Sequence, residues 1–105
     1  MKQIKTALFV SLLYASAYSY AGDPQAMALK NGCLACHQIE AKVIGPAYKD
    51  VANKYSGQKD AVEKLTLKVK NGGGGVWGNA GMPPHTHMKD EEIKTIVEWI
   101  LSLKG

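Results

Sequence analysis

Cys33-Leu34-Ala35-Cys36-His37 sets two thiols three positions apart and places an imidazole directly after them. If Cys33 opens a helical turn, Cys36 falls on the same side of it, and both sulfurs face one edge of whatever lies alongside. This is the spacing at which a c-type haem is attached, with thioether bonds from Cys33 and Cys36 to the porphyrin vinyl groups and His37 as the proximal iron ligand. Three other readings compete. A thioredoxin-like dithiol calls for a βαβ pattern, and no run of β-branched residues indicates a sheet. A zinc site needs further ligands, and the other histidines, His85 and His87, lie far along the chain. A structural disulfide would leave the adjacent His37 without a role.

The chain of 105 residues opens with Lys2 and Lys5, continues through an apolar stretch at 7–17, and reaches small residues at Ala15-Ser16-Ala17 and Ser19-Tyr20-Ala21. That order reads as a secretory signal peptide over residues 1–21, with an apolar segment too short to span a bilayer. Cleavage is expected after Ala21, with Ala17 as the second choice, which makes 22–105 the functional domain and the periplasm its location.

About 84 residues then remain, close to the size at which an apolar core needs a staple. A covalently held haem serves as one, its flat apolar faces forming the centre of the core. Every basic residue is a lysine; eleven lie beyond Ala21 against nine acids, leaving a formal +2. No basic stripe interleaved with aromatics is present, so a nucleic-acid partner is not expected. Nor does the chain beyond Ala21 offer a membrane segment.

The pattern predicts an all-α domain of about four short helices. Asp23 as N-cap, Pro24 at the first helical position and Gly32 at the end define the first. A second covers 47–54, with Val51, Ala52 and Tyr55 on one face. The third starts with a capping box, Asp60 and Glu63, points Val62, Leu65 and Val69 inward, and stops at Asn71-Gly72. In the last, capped by Asp90, Ile93, Ile96, Val97, Ile100 and Leu101 recur at helical period. Its expected partner is the first helix, through Ala26, Met27 and Leu29.

Between the last two helices lies a glycine-rich segment, 72–87, whose Val76, Trp77 and Met82 are too apolar for a plain linker; it reads as a loop folded over something flat. The candidates for the second axial position on the iron are Met82, Met88, Met27, His85 and His87. Met82 is favoured over a packing role because Pro83-Pro84 stiffens the chain beside it and Gly81 permits close backbone approach. Met88 and Met27 read as packing residues, and His85 and His87 as exposed loop residues able to replace Met82.

Taken together, Gly32-Cys-Leu-Ala-Cys-His37, Val43-Ile-Gly-Pro46-Ala-Tyr-Lys-Asp-Val-Ala52, Val69-Lys-Asn-Gly72, Gly75-Val-Trp-Gly78, Met82-Pro-Pro84 and Trp99-Ile-Leu-Ser102 resemble the small bacterial class I cytochromes c of the c-551/c-552 group. The resemblance spans about 23–104 and implies the class I cytochrome c fold around one covalent haem c. It further implies His37 and Met82 as axial ligands and the Pro46 carbonyl as acceptor of the His37 Nδ1–H. Trp77 would donate to a haem propionate, with Lys68 near the propionates. Three departures stand out. His85 occupies the position where many members carry Asn or Gln, and Ala28 and the glycine run 72–75 point to a looser structure.

An iron with both axial sites filled changes oxidation state with little rearrangement, which suits outer-sphere electron transfer rather than enzymatic chemistry. The resemblance implies a monomeric carrier that meets its partners transiently, between an upstream cytochrome-containing complex and a downstream oxidase or nitrogen-oxide reductase. The alternative is a haem enzyme or a sensor of peroxide or a diatomic gas, with labile Met82 ligation.

Overall fold

A computed structural model of the chain describes residues 22–105, so the signal-peptide expectation falls outside the described residues. Among the described residues five helices follow one another: α1 (Pro24–Lys30), α2 (Cys33–Cys36), α3 (Tyr48–Lys54), α4 (Ala61–Asn71) and α5 (Asp90–Leu101). The helix beyond the expected four is the single turn of the Cys-x-x-Cys motif. No strand occurs among the described residues, only the isolated bridges His37–Lys42 and Gly73–Met82.

α1 begins as its sequence dictates. The Asp23 carboxylate accepts from the backbone N–H groups of Gln25 at 3.0 Å and Ala26 at 3.4 Å, leaving Pro24 at the position where no N–H is needed. α4 does not follow its expectation. Asp60 is the N-cap residue but makes no capping hydrogen bond, because its backbone (φ −95, ψ 6) continues a turn rather than adopting the extended shape that aims a cap inward. At α5 the cap moves back by one residue. Lys89 is the N-cap, and its N–H donates to the Glu92 carboxylate at 3.3 Å. Asp90 is the first helical residue instead, and with Glu91 and Glu92 it sets three acids against the positive end of the helix dipole.

α5 is the spine, packing against α1, α3 and α4. Its stripe is buried as the periodicity requires: Ile93 and Val97 are fully enclosed, and Ile96 and Ile100 nearly so. On α1 the partner residues are Met27 and Ala28, both buried, whereas Leu29 is 67% exposed. A helix of seven residues can turn only a narrow face to its neighbour, and positions 27 and 28 occupy it. Ala28, 0% exposed, is thus an interface residue. Val62, Leu65 and Val69 of α4 are half-buried against the same core, and Met88 is buried at the entrance to α5. The Lys70 ammonium bridges the two ends of this region, donating to the Met88 carbonyl at 2.6 Å and pairing with Asp90 at 3.0 Å.

Candidate haem site

The α2 turn puts Cys33 and Cys36 on one side, and both thiols are free. At His37 the chain becomes extended (φ −123, ψ 132) and then folds back, because the Cys36 carbonyl accepts from Ile44 N–H at 3.2 Å and Gly45 N–H at 2.8 Å. This return brings the Pro46 carbonyl to 2.8 Å from His37 Nδ1. A carbonyl can only accept, so Nδ1 carries the proton and Nε2 keeps its lone pair free. Two neighbours that sequence reasoning did not single out fix the ring further. Tyr48 stacks on it with centroids 5.0 Å apart at 19°, and is itself braced edge-on by Trp99 at 5.7 Å. Gly45 lies flat against it, since a Cβ there would stand 2.8 Å from both ring nitrogens. The Val-Ile-Gly-Pro sequence ahead of Pro46 was the only signal for Gly45.

Elsewhere on the lining of the same cleft, Met82 is held by backbone. Gly73 N–H donates to the Met82 carbonyl at 3.0 Å and Met82 N–H to the Gly73 carbonyl at 2.7 Å; His85 N–H then donates to Val69 at 3.1 Å. Both groups of residues line one cleft, with about 1200 Å³ of free space including its open mouth. Cys33, Cys36, His37, Pro46, Lys68, Trp77 and Met82 all line it. So does Met88, which combines packing with lining. Met27, His85 and His87 do not. His85 is half-buried rather than an exposed loop residue, with Nδ1 enclosed and unpartnered, while His87 is exposed. Trp77, 38% exposed, lies under the Lys54 ammonium at 5.5 Å from the ring centre.

The cleft suits a flat apolar macrocycle with a metal at its centre, being lined by two thiols from one helical turn, an imidazole of fixed tautomer, a thioether and apolar side chains of α5. The rival readings do not suit it. Among the described residues no three His, Cys, Asp or Glu side chains gather as a metal cluster would require. Burial pushes the Cys33 thiol up, partly offset by the Tyr48 hydroxyl, which is the reverse of an activated dithiol. Burial, and then Cys33, in turn push the Tyr48 hydroxyl far up, keeping it protonated.

Helices wrapped around such a cleft, with a Cys-x-x-Cys-His turn on its wall, define a c-type cytochrome. The family model described as Cytochrome c matches residues 23–104, and the chain belongs to that family. Cytochrome c-552 of Hydrogenobacter thermophilus is 46% identical over 101 residues, spanning 96% of this chain and all of the relative. Cytochrome c-551 of Pseudomonas aeruginosa is 46% identical over 86 residues, 82% of each chain. The crystal structure of Nitrosomonas europaea cytochrome c552 superposes with a TM-score of 0.74 at 49% identity, covering 76% of this chain and 99% of that one. The protein is a small class I c-type cytochrome carrying one covalent haem c, a mono-haem electron carrier.

Proposed function

We propose that the protein shuttles single electrons between respiratory redox partners in the periplasm, using a haem attached at Cys33 and Cys36 and ligated by His37 and Met82. The observation that carries this reading is the 2.8 Å hydrogen bond from His37 Nδ1 to the Pro46 carbonyl, on a cleft that Met82 also lines. When bound, the haem iron supplies a one-electron couple.

The chain's own residues do the rest. Pro46 keeps the Nδ1 proton in place and thereby leaves Nε2 as the donor atom. The Met82 thioether is neutral and polarisable, which favours the reduced state relative to a second imidazole. The Trp77 indole N–H and the Lys68 ammonium, on the cleft lining, are donors for the propionate carboxylates. Ile44 and Val76 line the cleft while 56% and 48% exposed, forming an apolar mouth suited to brief contact with a partner. Among the described residues no helix is long and apolar enough to cross a membrane. Residues 1–21 act as the export signal in this reading. The enzyme or sensor alternative calls for labile Met82 ligation; His85 and His87, the nearest candidates for a distal base, do not line the cleft.

The spectrum of the oxidised holoprotein tests the proposal. A low-spin ferric haem with the weak red charge-transfer band of iron–methionine ligation is expected, and Met82→Ala should remove that band while leaving the haem attached. A high-spin spectrum at neutral pH in the unmodified protein would overturn it.

A further inference from the structure

The glycine run 72–75, which in sequence reads as slack, contains two points where backbone meets backbone. Gly72 ends α4 with φ 72 and ψ −174, a region that residues with side chains avoid. A Cβ at Gly72 would stand 2.6 Å from the Met82 carbonyl oxygen, 2.8 Å from Pro84 N and 3.0 Å from the Pro83 carbonyl carbon. None of these atoms belongs to a flexible side chain, so the methionine arm itself would have to shift. At Gly74, whose φ is ordinary, a Cβ would stand 3.2 Å from both the Ala80 carbonyl oxygen and Gly81 Cα. Gly73 lies between them and exchanges both of its backbone hydrogen bonds with Met82.

We propose that Gly72 and Gly74 are positioning residues for Met82: their missing side chains let the end of α4 seat directly against the Met82 arm, and this contact fixes how far the thioether reaches into the cleft. The inference rests on Met82 being the sixth ligand. A stiff Met82-Pro83-Pro84 arm cannot reach around an obstruction at its own base. Displacing the base therefore displaces the sulfur.

Gly57 provides the control. It has φ +79, sits in the turn between α3 and α4, has open space where a Cβ would be, and does not line the cleft. An alanine there brings left-handed backbone strain without a collision. The test titrates imidazole into the oxidised holoproteins of wild type, Gly72→Ala, Gly74→Ala, Gly57→Ala and Met82→Ala, following the red band and the apparent affinity. Gly72→Ala should bind imidazole about tenfold more tightly than wild type and Gly74→Ala about threefold, with Gly57→Ala unchanged. Thermal melts separate this ligand exchange from general destabilisation, which Gly57→Ala shares. If the Gly72 and Gly74 variants match Gly57→Ala while Met82→Ala has lost the band, the positioning role is wrong and the ligand assignment stands. If Met82→Ala keeps the band, the ligand assignment fails and takes the inference with it. Should Gly72→Ala not accumulate as holoprotein, Gly74→Ala, free of left-handed strain, decides the question.

Discussion

The two parts of the cleft lining that carry the proposed ligands, His37 and Met82, hold them by different means. On the histidine side the side chain itself is fixed: a hydrogen bond to Pro46, a stacked Tyr48 and the bare backbone of Gly45 all act on the ring, within a stretch of twelve residues. On the methionine side the backbone is fixed, by paired hydrogen bonds from Gly73, and no hydrogen bond holds the side chain. The first arrangement locks an orientation; the second sets a distance. Ligand exchange should therefore occur on the methionine side.

The strongest way to break this contrast is to remove each ligand in turn. His37→Ala should abolish the low-spin spectrum and prevent recovery of stable holoprotein, whereas Met82→Ala should accumulate as a folded protein with attached haem, as haem staining and absorption spectra would register. Equal yields from both would erase the distinction. A change to the α5 part of the lining comes next. Ile93→Ala removes a fully buried side chain from α5 and should cost about 2–5 kcal/mol in denaturant unfolding, with the red band retained under native conditions.

The smallest expected effect sharpens the histidine side alone. Glu40, in the return loop after His37, accepts from Lys49 of α3 at 2.8 Å, and that hydrogen bond holds its carboxyl below the usual range. A carboxyl whose folded pKa is depressed stabilises above its unfolded pKa and loses that contribution as pH falls through the folded value. Glu40→Gln should thus lower the unfolding midpoint slightly at neutral pH, with the difference from wild type vanishing in acid and shrinking in high salt.

Much of this was legible in the chain. The α5 stripe, the Asp23 cap and the Cys33 to His37 turn are local patterns with one physical solution each, and their residues lie where the periods put them. Met82 could be singled out because the stiffness of Pro83-Pro84 beside it is a property of the residues themselves, whereas the role of Pro46 came from the resemblance to the cytochrome family. What escaped depended on tertiary contact. Leu29 and Ala28 differ by a fraction of a turn on a short helix, and only the position of α5 decides which is buried. Asp60 has the composition of a cap but not its backbone shape. Tyr48 and Gly45 matter through the ring they touch, and the close approaches at Gly72 and Gly74 involve backbone atoms six to twelve residues away.

One feature of α4 reaches beyond ligation. By holding Met88 and Asp90 with the Lys70 ammonium, two residues before the glycine run begins, the fold brings both ends of the methionine loop to the same helix. The loop is closed at its base like an Ω, so its exposed tip around Gly78-Asn79 is decoupled from the pairing of α4 and α5. Residues added at that tip would cost little, about 0.6 kcal/mol for each doubling of loop length. The rim beside the cleft can therefore change its size and chemistry through evolution or engineering while the helical frame stays as it is.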